Sequence, residues 1–330
     1  MGYLAGETIL DDEYNAFVTS TDPIGINHIM GEGATVYGLG QAELPGVAAG
    51  EGGAGGTVTA ASWNALLSAL DNIGNHTNDS LTARTQVGVG DPIEIKAAIA
   101  ADLVSLAAEV AAGSVNATAL GESSELRSSR SSTRYVGNHI VEHTITFANG
   151  NNLRYFFNAG GKFRVKLTRP GGGSANGSTA TDKDDSVDEM IAAMGNFDIG
   201  AQVSTRSGSG ETLTTNGFAN GVDDLTTDYA VIFLLTQSSG TYTSMTLKAE
   251  AKVNNNTYGT ATTVTVKMTL TDADSGDAAF TSGNLGSIDV NENFIGITDF
   301  GSFVMNPTTA QGLDPVYTIS ASAETSNNTT

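Results

Sequence analysis

Histidines and carboxylates are the residues of this 330-residue chain that could hold a metal or move a proton, and their spacing argues against both. His139 and His143 stand four apart in a segment that reads as strand, so they share a face, with Glu142 on the other. No third ligand is placed by spacing, and cross-strand neighbours are the favoured reading over a metal pair; His28 and His76 stand far apart in sequence. Asp272-Ala273-Asp274-Ser275-Gly276-Asp277 has the alternation that opens a calcium loop, yet Gly283 stands where the closing bidentate carboxylate belongs. The acidic run Asp182–Glu189 reads as a helix start. With no cysteine there is no thiolate ligand, Cys nucleophile or disulfide. Nucleophile-elbow, phosphate-loop and zinc-protease motifs are absent as well. The expectation is a protein that is not an enzyme and uses neither metal nor cofactor.

The charges point elsewhere. Thirty-six acids against 15 bases give a net charge of −21, spread over both halves, and such a surface repels phosphate backbones. Nucleic acid is therefore not an expected partner. Five of the 15 bases crowd into one stretch: Arg154, Lys162, Arg164, Lys166 and Arg169. Two readings stay open, pairing with acids of the same sheet and a docking surface for an acidic patch on a neighbouring chain.

The elements that must position these residues divide into two kinds. In the N-terminal part, Asp11-Asp12-Glu13 opens a helix carrying Tyr14, Phe17 and Val18, which Pro23 and Gly25 end. Gly31–Gly56 is glycine-rich and reads as loop. Thr59 caps a second helix with Trp63, Leu66, Leu67, Leu70 and Ile73 on one face, which Gly74 or Asn75 stops. The two helices align at an offset of 49 residues, Tyr14-Asn15-Ala16-Phe17 with Trp63-Asn64-Ala65-Leu66, and so form a duplicated unit. A third helix is expected from Asp91 as N-cap and Pro92, with Ile95, Ile99, Leu103, Leu106 and Val110 as its stripe. The stripes can bury against one another or against neighbouring subunits, and neighbouring subunits are the preferred reading because short helices are marginal alone. Gly113–Thr133 reads as a linker.

Beyond it the pattern is strand. Thr144–Ala148, Leu153–Asn158 and Lys162–Thr168, separated by Asn149-Gly150 and Ala159-Gly160-Gly161, read as a β-meander. Phe163, Val165 and Leu167 alternate with Lys162, Arg164 and Lys166, giving one apolar and one cationic face. Pro170–Thr181 reads as loop, followed by a short helix capped by Asp185 or Ser186 with Val187, Met190, Ile191 and Met194 inward. Further strands are expected at Ile199–Thr205, Tyr229–Gln237, Tyr242–Val253, Thr262–Thr271, Phe294–Val304 and Val316–Ala323, and a frayed tail at Thr325–Thr330. Strands at this spacing indicate a two-sheet, jelly-roll-like sandwich.

One resemblance rests on named residues. Leu153-Arg154-Tyr155-Phe156-Phe157-Asn158-Ala159-Gly160-Gly161-Lys162 after a Thr-Ile-Thr-Phe strand, Gly6–Phe17 with its Gly-x-x-Ile then Tyr-Asn, Tyr37-Gly38-Leu39-Gly40-Gln41, and Trp63-Asn64 through His76 together resemble virion structural proteins of marine tailed phages, cyanophages in particular. The likeness covers roughly the first half of the chain. It implies a virion component, assembled in the host cytoplasm without a signal peptide. Its expected partners are copies of itself and other virion proteins.

The expectation is thus a mainly β protein: a helical attachment module over residues 1–134, then an antiparallel β-sandwich over 135–330. Tyr14, Phe17, Tyr37, Trp63, Leu66 and Leu70 from the module, with Arg154, Lys162, Arg164 and Lys166, are expected at an interface. Tail, neck or fibre is the preferred location, with capsid decoration open. The alternative is a module binding host surface glycans through exposed Tyr229, Tyr242 or Tyr258. No apolar run is long enough to span a bilayer, so no membrane partner is expected.

Overall fold

The computed structural model describes residues 11–31, 37–48, 56–89, 91, 96–112, 120–122, 126–129, 134–135, 138–168, 182–216, 221–238, 243–257, 259–271, 273, 294–295, 299–307 and 319–328. The chain separates into two compact units. The first holds Met1–Gly121, Asn151–Gly161 and Asn306–Thr318; the second holds Glu122–Gly150, Lys162–Met305 and Ile319–Thr330. The division is therefore not one cut near residue 134. The chain passes between the units several times, and the whole Asn151–Gly161 segment counts with the N-terminal one.

The first unit is helical: α1 (Asp11–Val18), α2 (Ile26–Met30), α3 (Ala60–Thr77) and α4 (Lys96–Ala111), with α5 (Gly150–Asn158) returning to it. Its core is the set of stripes the spacing predicts. Tyr14, Phe17 and Val18 of α1, Ile26 and Ile29 of α2, Trp63, Leu66, Leu70 and Ile73 of α3, and Ile99, Leu103, Leu106 and Val110 of α4 are all buried in one cluster. The helices thus cover one another's apolar faces, correcting the preference for neighbouring subunits. A single α1 is too short to be stable alone, and the shared core supplies what its length lacks.

Local chemistry sets the boundaries. Thr59 caps α3 as expected, its hydroxyl accepting from the Ser62 N–H at 3.1 Å. The helix runs through Gly74 and Asn75 and stops one turn later at Asn78, which is left-handed at φ 61°. Asp91 accepts from the Gly88 N–H at 2.6 Å, closing a turn, while Pro92 and Ile95 lie outside the described residues.

The second unit is β-rich and antiparallel. Its strands are β1 (Leu120–Glu122), β2 (Leu126–Ser129), β3 (Arg134–Tyr135), β4 (Asn138–Phe147), β5 (Lys162–Thr168), β6 (Phe197–Ile199), β7 (Ser204–Arg206) and β8 (Thr212–Asn216). They continue as β9 (Ala230–Thr236), β10 (Thr246–Val253), β11 (Thr263–Thr271), β12 (Phe294–Ile295), β13 (Asp299–Pro307) and β14 (Ile319–Asn328). One six-stranded sheet runs β1-β13-β5-β6-β7 with β2 also on β13; the other runs β14-β4-β11-β10-β9-β8; β12 and β3 pair separately. In the second of these, β8 to β11 pair in sequence order, a meander rather than the Greek keys of a jelly roll. The helix α6 (Asp182–Met194) buries Val187, Met190 and Met194, with Ile191 half-buried.

Four expectations are corrected here. Leu153–Asn158 lies in the helix α5, so the order is strand, helix, strand and not a meander. The linker Gly113–Thr133 contains β1 and β2. Ile199–Thr205 is split into two short strands, because the Gly200 N–H donates to the Val203 carbonyl at 3.0 Å and turns the chain into a hairpin. The tail does not fray at Thr325: β14 stays paired with β4 to Asn328. The loop read over Pro170–Thr181 lies outside the described residues, as does nearly all of Asp272–Asp277.

Candidate functional site

The aromatic-Asn pairs are the feature that recurs, and their geometry shows what each half does. Trp63 sits in the core beside two rings of α1, 6.4 Å from Tyr14 and 6.3 Å from Phe17, the latter edge-on. The Tyr14 hydroxyl donates to the Ser62 carbonyl at 3.3 Å, and burial raises its pKa. The duplicated aromatics therefore pack against each other. Tyr14, Phe17, Trp63, Leu66 and Leu70, expected at an interface between chains, are at most 7% exposed within this one. They are core; an amphipathic stripe looks the same in sequence whether its cover comes from the same chain or another.

The asparagines face the other way, toward extended backbone. Asn15 accepts from the Val47 N–H and donates to the Val47 carbonyl, both at 2.8 Å. Asn64 does the same to Val87, at 2.9 and 3.0 Å. A primary amide has one acceptor and a donor side by side, as a peptide group does, so each asparagine imitates a strand partner. Asn27 of α2 makes the same pair with Leu44, both bonds 2.8 Å. These clamps hold segments that lack helix or sheet of their own and leave their backbone groups satisfied.

The remaining motif residues join the same unit. Leu39 and Gln41 donate to the Met30 carbonyl at the end of α2, and half-buried Tyr37 stacks edge-on against His28 at 5.5 Å. Burial lowers the His28 pKa. Asn158 at the end of α5 donates to the Gly38 carbonyl at 3.2 Å, across 120 residues of sequence. Gly160, at φ 86°, and Gly161 then end the helix; a Cβ on Gly161 would lie 2.5 Å from the Phe156 ring and carbonyl. Arg154 is buried on this helix, its guanidinium bonding Asn151 at 3.2 Å and lying 5.0 Å from the Tyr155 ring centre. It does not share a face with the β5 cations.

Among the described cations of β5 the acid-pairing reading holds for Arg164, and Arg169 lies outside the described residues. Arg164 stands opposite Asp198 of β6 and grips it with two bonds, 2.6 and 2.8 Å. Lys166 is exposed and Lys162 half-buried.

A second charged group, unforeseen from sequence, lies on one face of the other sheet. Glu142 of β4, Lys267 of β11 and Glu250 of β10 stand in one row. Lys267 and Lys248 reach Glu250 at 2.9 and 3.2 Å, and Lys267 and Lys252 lie 3.8 and 4.3 Å from the Tyr229 ring centre. The Tyr229 hydroxyl donates to Glu142. Burial and the Glu142 carboxylate push the tyrosine pKa up. Burial pushes Glu250 up too, but bonds and charges from Lys267 and Lys248 outweigh it and leave the pKa low. Glu142, Tyr229, Lys248, Glu250 and Lys267 each have an ionic or hydrogen-bonded partner, and the ring expected to stack on sugars has Lys252 and Lys267 over it. Tyr242 and Tyr258 lie outside the described residues.

Around the end of α3, an open cleft of about 410 Å³ is lined by Asp71, Asn75, Asp79, Thr82 and Arg84 among others. The Arg84 side chain pairs with Asp102 and lies 3.6 Å from Asp71, so the one cation of the cleft is already matched. Among the described residues no three His, Asp or Glu side chains converge as a metal site, and no helix is long and apolar enough to cross a membrane. His143 is buried on β4, and among the described residues no ligand set converges on it.

Comparison with protein-family models, curated proteins and solved structures returned no match.

Proposed function

We propose that this chain is a non-enzymatic structural protein of a tailed-phage virion, associated with tail, neck or fibre, self-associating and attached through its helical unit. One observation supports the reading most. The segments that carry the resemblance lie far apart in sequence, yet Tyr14-Asn15, Tyr37–Gln41, Trp63-Asn64 and Asn158-Ala159 interlock in a single unit through the Asn158–Gly38 bond and the shared core. A motif set of that kind describes a portable module. The docking surface is then not the aromatic stripe, which the module uses internally, but its outside. The sheets of the second unit are read as the layers of a sandwich, a reading favoured by the edge-on contact of Phe197 on β6 with Phe233 on β9, ring centres 4.9 Å apart. Capsid decoration is the same chemistry at another address.

Immunogold labelling of intact particles with antibody against the chain tests the location. Label on tail, neck or fibre is expected, label on the capsid moves the address, and particles free of the protein by both labelling and mass spectrometry overturn the proposal. Light scattering of the purified protein across salt tests self-association: an oligomer persisting at high salt is expected, and a monomer at every salt removes it.

A further inference from the structure

The last described strand, β14, brings its sheet a different composition from the strand it pairs with, β4. On one face of β4, His143, Ile145 and Phe147 are buried, and the same rows continue across β11 as Val266, Val264 and their neighbours Met268 and Leu270, all fully buried. On β14 those rows hold Ser322 opposite Ile145, Glu324 opposite His143 and Ser326 opposite Val141. The opposite face of β14 carries Ala321, Ala323, Thr325 and Asn327. From Ala321 onward, then, neither face offers an apolar residue larger than alanine. The apolar rows of the sheet end at β4, and β14 is specified by its backbone ladder.

Such a two-sided polar strand has weak register and weak ownership. Its register already shifts once, between Ile319 and Ala321. The other edges of the two large sheets are short: β8 has five residues and a shift of its own, β7 and β1 three each. β14 has ten, with neither proline nor lysine to blunt it.

We propose that β14 is an exchangeable strand, pairing with β4 of a second copy of this chain in the assembled state. The exchanged ladder makes the same backbone bonds as the closed one, so the seam itself loses no hydrogen bond in the swap. The inference names the seam for the self-association proposed above and rests on that part of the reading.

The chain has no cysteine, so introduced thiols are unique. Thr144 and Ala323 face each other across the seam. T144C and A323C would be purified separately, unfolded together, refolded as a mixture and oxidised. A mixed disulfide dimer is expected, at least tenfold above any dimer formed by either variant alone. The double variant T144C/A323C calibrates closure within one chain. Its complete intrachain closure, with no mixed dimer from the pair of single variants, overturns the proposal. Thr146→Cys with Ala321→Cys, one rung along, repeats the test if circular dichroism shows that the first pair does not refold. An oligomer by light scattering that yields no mixed dimer overturns strand exchange and leaves self-association standing.

Discussion

The two units solve one problem, satisfying extended backbone, by opposite means. The second pairs strand with strand, and along β4, β11 and β10 each residue meets a partner in unbroken register. The first leaves its extended segments without a ladder and instead sets Asn15, Asn27 and Asn64 against Val47, Leu44 and Val87. In a ladder the cost of one bad residue is shared among neighbours. In the helical unit each clamp is a single side chain, so polar residues there carry weight that a sheet spreads out.

Trp63 is the only tryptophan, so its fluorescence reports unfolding of the helical unit specifically. Leu70→Ala, at a fully buried site, should lower that unit's stability by about 2–5 kcal/mol, seen as an earlier tryptophan transition in urea. Next comes Asn64→Ala. It removes two bonds and strips Val87 of both partners, for about 2 kcal/mol by the same probe. On the sheet side, Glu250→Gln should cost about 1 kcal/mol, read from the β signal in circular dichroism. It should also change the acid limb. Because the folded pKa of Glu250 lies below its unfolded value, its contribution is present above the ordinary carboxylate range and is lost as pH falls through the folded value. The variant should therefore lose less stability on acidification than the parent. The smallest effect is expected for Thr144→Val, which gives up one hydroxyl contact to Thr265 at 2.7 Å while keeping every ladder bond, at about 0.5 kcal/mol. Were Asn64→Ala no costlier than Thr144→Val, the contrast between the units would collapse.

Much of this was legible where one signal dominates. The stripes of α3 and α4 and the alternation of β9 to β11 mark real elements because burial and periodicity agree there. The α5 segment misled for a physical reason. Tyr155, Phe156 and Phe157 favour strands on a half-buried surface, and the flanking glycines look like hairpin turns, but this segment is buried on more than one side, where such propensity loses its meaning. Leu153, Phe156 and Phe157 at i, i+3 and i+4 were the helical signal available. At the candidate site, the aromatic-Asn repeat was visible in sequence, but its purpose was not. A stripe does not state which chain covers it, and an asparagine does not state which backbone, 23 or 32 residues away, it binds. The Tyr229, Glu142, Lys267 and Glu250 group was hidden because Tyr229 precedes β9 and the others come from β4, β11 and β10, whose order sequence does not reveal.

The asparagine clamps also imply a kind of grammar. An amide that reads only N–H and C=O is indifferent to the side chain between them, so substitutions at Val87 are screened by packing alone, with one exception. Proline has no N–H, and Val87→Pro would leave half the clamp with nothing to hold. What the clamps leave open is then decided by the core alone, against which Leu44, Val47 and Val87 all pack.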